Sequence, residues 1–304
     1  MAIGVDVGGT KILAARVDLA TGATSSHARR LTVDGGVDPG ALENLIVDAV
    51  TEATGADRLA VVGLAAAGFV DGPGEKVRFA PHLPWRDRAV RAVLEDRLRV
   101  PVALDNDATC AALAESRYGA GRGADSVLMV TVGTGIGGGL VVDGRVLRGA
   151  GGMAGEFGHM RLVPSGRPCP CGLRGCWEQY CSGRALLRAA GEGEDGPRSS
   201  GWVDGEAVTR AAQRGDEVAR RAFASVGEWL GIGLANLVAA FDPEVVVVGG
   251  GVSTAGDLLL DPARAALAAA LVGASYRQVP RVVAAELGSS SGLVGAALLA
   301  SERA

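Results

Sequence analysis

Two short apolar runs joined by a glycine turn occur twice in this chain. That repeat restricts the fold more than any other feature. Ile3–Asp6 and Ile12–Asp18 read as strands, with DVGGTK across the bend. Val127–Val132 and Leu140–Val142 repeat the pattern around GTGIGGG, and Asp143-Gly144 is a hairpin turn into Arg145–Leu147. The best-known glycine-rich phosphate loops run from a strand into a helix. Both of these run from strand to strand. One such bend reads as a plain hairpin; two demand a reason. The second places five glycines in seven residues, each costing up to about 1 kcal/mol relative to Ala inside an element. A triphosphate offsets that cost, because it needs backbone N–H donors at close range and no Cβ atoms in the way. On this reading Gly8, Gly9, Thr10 and Lys11 form one phosphate-facing bend. Gly133, Thr134 and Gly135 form the other.

The remaining pattern is α/β. Leu42–Thr54 carries apolar residues at helical spacing, and Ala89–Leu98 and Ala108–Arg117 also read as helices. Leu59–Leu64 and Pro101–Leu104 read as buried strands. Helical patterning dominates 206–240, and Gly292–Ala304 reads as a closing helix. Residues 191–200 are polar and Gly-rich, as a surface loop is. FDPEVVVVGGG supplies a further strand that ends at Gly249, Gly250 and Gly251. Those glycines either let an adenosine lie against the strand end or make an ordinary turn into a helix. The 304 residues suggest two domains, at roughly 150 residues each.

Charge and composition exclude several classes. A net charge of −4, with no basic tract, gives no electrostatic case for nucleic acid. No run reaches the roughly 18 uninterrupted apolar residues of a membrane span, and the start lacks a signal-peptide layout. A cytoplasmic protein is expected. Three of five cysteines lie within eight residues, which argues against a disulfide framework.

Two segments carry chemistry. VALDNDATC places Asp105, Asn106 and Asp107 where a strand gives way to a helix. One of them suffices as a helix cap. The strand end is also where α/β proteins place ligands, and an ionised carboxylate there can take a hydroxyl proton. Spacing alone does not separate Asp105 from Asp107. Further on, His159, Cys169, Cys171 and Cys176 form H-x9-C-x-C-x4-C, a donor set for tetrahedral zinc with no open position. Cys181 is a spare candidate, Cys110 is most simply core, and His159 has an alternative as a base. Glu156 and Glu178 flank the ligands. Zinc closing the loop would hold both carboxylates at one place, with the second nitrogen of His159 beside them.

DVGGTK, LDNDA, GTGIGGG, GEFGH and CPCGLRGCWE, in that order, resemble the ROK family of bacterial sugar kinases and repressors, and its glucokinases in particular. The resemblance covers nearly the whole chain. It implies the actin-like/hexokinase-like ATPase fold: α/β, two lobes around a central cleft. The small lobe would be 1–108 with 290–304, and the large lobe 109–289 with a zinc loop at 159–176. It implies ATP, Mg2+ and structural Zn2+, and phosphorylation of the glucose 6-hydroxyl. Matched residue by residue, Asp107 is the general base. Gly68, Asn106, Glu156, His159 and Glu178 are sugar ligands, and Asp6 lies near magnesium. Gly249, Gly250 and Gly251 match the adenosine-facing loop. N-acetylglucosamine, N-acetylmannosamine, fructose and glucosamine are alternative substrates, and polyphosphate an alternative donor. A sugar-sensing repressor is the rival class, but the first motif begins at Asp6 and leaves this chain no room for a DNA-binding helix-turn-helix. A homodimer or homotetramer is expected, with the apolar surfaces of 206–240 and 265–276 available for association. Two positions depart from the family pattern. Ala65-Ala66-Ala67-Gly68 replaces a Gly-x-Pro-Gly-like turn, and Pro81-His82 replaces Pro-Asn. His82 reads as a surface-loop histidine.

Overall fold

The computed structural model describes residues 1–32, 38–193, 196–197, 202 and 204–303. Half of the surface loop expected at 191–200, residues 194–195 and 198–200, lies outside these residues. The chain divides into two units.

Unit 1 comprises Met1–Gly123, Gly139–Gly155 and Leu287–Ala304. Its sheet contains β1 (Ala2–Val7), β2 (Lys11–Val17), β3 (Thr24–Leu31), β4 (Val61–Ala66) and β8 (Val102–Asn106), in the order β3-β2-β1-β4-β8. β1, β4 and β8 run parallel, while β2 and β3 are added antiparallel. Side chains alternate across the sheet. Ile3, Val5 and Val7 join the core beneath α1 (Pro39–Thr54) and α2 (Val90–Leu98). Ala2 and Ala103 join the opposite core, with α3 (Asp107–Tyr118) and α8 (Ser291–Arg303). Asp6 and Asp105 fall on this second face by the same alternation. α8 lies directly on the sheet because Gly4 and Gly63, paired across β1 and β4, have no Cβ to meet the carbonyls of Leu293 and Ala296. α1 starts where Asp38 accepts the N–H groups of Gly40 and Ala41, with Pro39 opening the helix. A small sheet follows β4, made of β5 (Phe69–Val70), β6 (Val77–Phe79) and β7 (Arg86–Arg88).

Unit 2 comprises Ala124–Gly138 and Glu156–Glu286. Its strands are β9 (Ser126–Val132), β14 (Val245–Gly249) and β15 (Arg281–Ala284), which run parallel, and the start of β10 (Ile136–Val142). β10 leads into β11 (Arg145–Val146), and the sheet order β11-β10-β9-β14-β15 repeats that of the first sheet. Its helices are α4 (Gly183–Gly191), α5 (Gly205–Gln213), α6 (Glu217–Phe241) and α7 (Asp257–Ala270), with a short ribbon of β12 (Glu192–Gly193) and β13 (Gly196–Pro197). α6 is long and apolar enough to cross a membrane by length and composition, yet most of that stretch is buried in the protein. It is the core helix of unit 2. Phe223, Leu230 and Leu234 are fully buried along it, and Gly227 and Gly231 bring α7 close.

Two expectations differ from these elements. The helix expected over 265–276 is α7, which begins at Asp257 and ends at Ala270; Leu271 is extended and the chain then turns. The expected lobe boundary at 108/109 would separate α3 from unit 1. α3 belongs to unit 1, where Leu113 and Ala114 pack in one core with Val294 and Ala297 of α8.

Candidate active site

At the end of β8 the three polar residues take three different jobs. Asp105 is 4% exposed and ion-paired to Arg148, with Nε 2.8 Å from Oδ2. Its Oδ1 accepts the Asn106 N–H at 2.9 Å. Asn106 is the N-cap of α3, accepting Thr109 N–H at 3.0 Å. Its amide nitrogen donates to the Gly68 carbonyl at 3.1 Å and to Asp107 Oδ1 at 3.0 Å. Asp107 opens the helix, and its Oδ1 also accepts Ala108 N–H at 2.9 Å. Asp107 Oδ2 has no hydrogen bond to another described residue. Geometry therefore separates what spacing did not: Asp105 is committed to Arg148, and Asp107 keeps an oxygen for a ligand. Both amide hydrogens of Asn106 are engaged in holding the strand end and Asp107, so a sugar hydroxyl would have to share this network.

Burial raises the Asp107 pKa above the usual carboxylate range, opposed by the N–H of Ala108 and the Asn106 amide. Asp6 is pushed up to about 7, first by burial and then by the Asp107 charge, with Lys11 opposing. Its carboxylate faces the first turn of α8, where a Cβ on Gly292 would lie 3.2 Å from Oδ2. A buried carboxyl held this far above its ordinary range lacks a compensating positive charge, and a hard divalent cation at Asp6 would supply it. The sign of the stability effect follows. Unfolded Asp6 titrates near 3.8 and folded Asp6 near 7, so its contribution is fully present below about pH 4 and is lost as pH rises toward 7. Asp6→Asn should therefore raise the thermal midpoint of metal-free protein at pH 8 by a few degrees, at about 2–4 °C per kcal/mol, and raise it little near pH 4. A lower midpoint at pH 8 would contradict this assignment.

The first bend is closed by Gly8 N–H donating to Lys11 C=O at 3.0 Å, leaving Thr10 exposed at its tip. His82 is exposed, as expected of a loop histidine, but its Cβ lies 2.8 Å from where a Gly9 Cβ would stand. The second bend is closed by Gly133 N–H to Gly135 C=O at 2.9 Å, with Thr134 exposed. Here the glycines have a packing role that the sequence reading missed. A Cβ on Gly135 would lie 2.6 Å from Glu178 Oε2, and Gly133 C=O accepts the Gly183 N–H at 2.7 Å. The bend expected to face phosphates and the carboxylate expected to bind sugar are in direct contact. In the third run Gly249 ends β14, and Gly250 (φ 85°) and Gly251 are exposed before a 3-10 turn at Gly251–Ala255.

His159, Cys169, Cys171 and Cys176 converge, with ligand atoms all within 4.8 Å of one another. Cys171 Sγ is 3.6 Å from Cys176 Sγ, and Cys169 Sγ is 3.8 Å from His159 Nδ1. A tetrahedral zinc with bonds of about 2.3 Å has edges of roughly 3.8 Å, so the donor set and spacing fit zinc. His159 would bind through Nδ1, leaving Nε2 outward. Glu156 caps the 3-10 turn Phe157–His159, and Glu178 lies in the turn Trp177–Gln179 with Oε1 3.3 Å from Cys169 Sγ. The loop also has an apolar anchor. Trp177 is fully buried in a notch left by Gly233 of α6 and donates Nε1–H to Trp229 C=O at 2.8 Å. Cys169 and Cys176 are buried, Cys171 is exposed, and Cys181 and Cys110 are buried thiols outside the cluster. Burial raises the Cys110 and Cys181 pKa values, which keeps them protonated.

Two sheets of one strand order, each with a glycine-bent hairpin, make this an actin-like/hexokinase-like ATPase fold. The ROK family model matches residues 2–303, and the chain belongs to the ROK family. It is 41% identical to a glucokinase of Streptomyces coelicolor, over 99% of this chain and 98% of that protein. A ROK family glucokinase from Streptomyces griseus, solved with glucose and AMPPNP, superposes with a TM-score of 0.87 at 41% identity, covering 99% of each chain. A ROK hexokinase from Thermus thermophilus gives 0.79 at 40% identity, covering 99% of this chain and 98% of that one.

Proposed function

We propose that this protein is an ATP-dependent hexose kinase that phosphorylates the 6-hydroxyl of glucose. The observation that carries the reading is Asp107. Its carboxylate is fixed through one oxygen at the start of α3 and is open at the other, in a chain similar over its whole length to glucokinases.

Asp107 accepts the 6-hydroxyl proton, and the hydroxyl oxygen bonds to the γ-phosphorus. The bond to the β-phosphate bridging oxygen breaks and ADP leaves. Phosphoryl transfer asks mainly for positioning and charge stabilisation. Gly68, Asn106, Glu156, His159 and Glu178 contribute to sugar recognition. Gly8, Gly9, Thr10, Lys11, Gly133, Thr134 and Gly135 hold phosphates, and Gly249–Gly251 face the adenosine. Asp6 would hold Mg2+, which when bound would supply positive charge to the phosphate oxygens. Zinc held by His159, Cys169, Cys171 and Cys176 would be structural, since four protein ligands would leave no open position. Three cysteines gathered as zinc donors and two buried thiols fit a reducing cytoplasm. We also propose self-association as a homodimer or homotetramer, supported by exposed Val272 and Tyr276 beyond α7. Light scattering reads that directly, and a monomer at working concentration would refute it.

A coupled assay for ADP with a sugar panel tests the reading. Glucose should give the highest kcat/KM with ATP. A higher value for N-acetylglucosamine, N-acetylmannosamine, fructose or glucosamine would move the assignment to that sugar. No sugar-dependent ADP from any of them would refute the kinase.

A further inference from the structure

Arg148 lies in the loop after β11, 43 residues from Asp105, and no motif in the sequence marks it. Its side chain nevertheless reaches the buried end of β8. Nε donates to Asp105 Oδ2 at 2.8 Å, and the Arg148 side chain is only 25% exposed. Asp105 Oδ1 holds the Asn106 N–H at 2.9 Å, and the Asn106 amide holds Asp107 Oδ1 at 3.0 Å. Four residues thus form one chain of contacts that ends on the carboxylate assigned as base. The near end is fixed too: Arg148 C=O accepts the Ala154 N–H at 3.0 Å, closing the glycine-rich loop Gly149–Met153 on itself. Gly152 of that loop lies against Asp71 and Gly72.

A purely structural ion pair would stabilise the fold without ending on a reacting group. Simple capping of α3 needs Asn106 alone. Neither requirement explains a nearly buried Asp105 whose two oxygens are divided between a distant guanidinium and the backbone N–H of the cap residue. We infer that Arg148 is a positioning residue for Asp107, acting through Asp105 and Asn106. This inference rests on the hexose-kinase reading above. Arg148 touches neither sugar nor nucleotide in this role. It restrains the strand end so that Asp107 keeps one oxygen aimed at the incoming hydroxyl.

The test compares wild type, Asp107→Asn, Arg148→Met, Arg148→Lys and the double variant Asp105→Ala/Arg148→Met. The readouts are kcat, KM for glucose and for ATP, and thermal midpoint. Small misplacements of a reacting group cost up to about a hundredfold in rate, so Arg148→Met should lower kcat tenfold or more. Its KM for ATP should stay within about twofold, since uniform binding is untouched. Arg148→Lys should recover part of the loss, because an ammonium can pair with Asp105 without the fixed guanidinium fork. The double variant removes the unpaired buried charge and guards against a single variant that fails to fold. It should be folded and no slower than Arg148→Met, since both changes cut the same chain.

A folded Arg148→Met or double variant with kcat within twofold of wild type overturns the inference. So does a loss of kcat matched by an equal loss of ATP affinity and not relieved by Arg148→Lys. An active wild type with inactive Asp107→Asn leaves the kinase reading standing in either case. A wild type without sugar-dependent ADP release overturns that reading and this inference together.

Discussion

Asp107→Asn should lower kcat for glucose by about 10²–10⁴, the usual contribution of a positioned general base. Glucose and ATP should bind nearly as before. The substitution keeps shape and one acceptor oxygen, so the Oδ1 contacts with Asn106 and Ala108 can persist. What is lost is a place for the hydroxyl proton. The helix start supports this assignment, because an ionised carboxylate in the first turn of α3 is favoured by the helix dipole. Burial works the other way and raises its pKa. The two effects together place the acid limb of kcat above the range of a free carboxylate, so activity should fall as pH drops through that raised value. An acid limb no higher than a free carboxylate near 4 would count against burial at Asp107.

The second large effect concerns the zinc loop. Cys171→Ser should lower bound zinc and raise the KM for glucose about tenfold or more, while the KM for ATP changes much less. The magnitude follows from the 10–100-fold losses typical when the support of a metal site is removed. The asymmetry follows from position. Glu156 and His159 share one turn, Glu178 follows the last ligand, and Cys169 lies beside Glu178. The burial of Trp177 against α6 sets a limit on the damage, because it holds the Glu178 turn even without metal. For that reason the sugar site should loosen rather than collapse. Equal losses of glucose and ATP affinity would contradict this, and so would unchanged affinity after zinc is lost.

The elements that position these groups were legible to different degrees. Strands β1, β2, β9 and β14 carry short, predominantly apolar runs, and the bends between or after them announce themselves by glycine. α1, α2 and α3 follow from helical spacing. β3 was not visible, because TSSHARRL is an edge strand with a single buried residue, Ala28, and has no alternation to read. β5–β7 are too short to carry a period. α7 starts eight residues before the apolar run that suggested it, with Pro262 obscuring the pattern; in the fold Pro262 packs on Gly227 of α6.

The candidate zinc donors were readable because zinc chemistry requires soft donors close in sequence, and the structure brings all four together. Other site features depend on tertiary contact and leave no local signal. Spacing leaves Asp105 and Asp107 equal and the family resemblance picks Asp107; the Arg148 contact that occupies Asp105 joins residues far apart in the chain and has no local signal. The glycines of the second bend looked like a phosphate cradle alone, yet Gly135 also makes room for Glu178. A buried acceptor set such as Glu43 with Arg88 and Arg97 was likewise invisible in the sequence.

Single-turnover phosphoryl transfer with zinc-loaded protein and saturating glucose measures the proposed proton acceptance most directly. Wild type should form glucose 6-phosphate rapidly. Asp107→Asn, with glucose and nucleotide dissociation constants within about threefold of wild type by calorimetry, should be slower by at least a hundredfold. A transfer rate within a factor of about two of wild type, in a folded variant that binds both ligands, would mean that another group takes the proton.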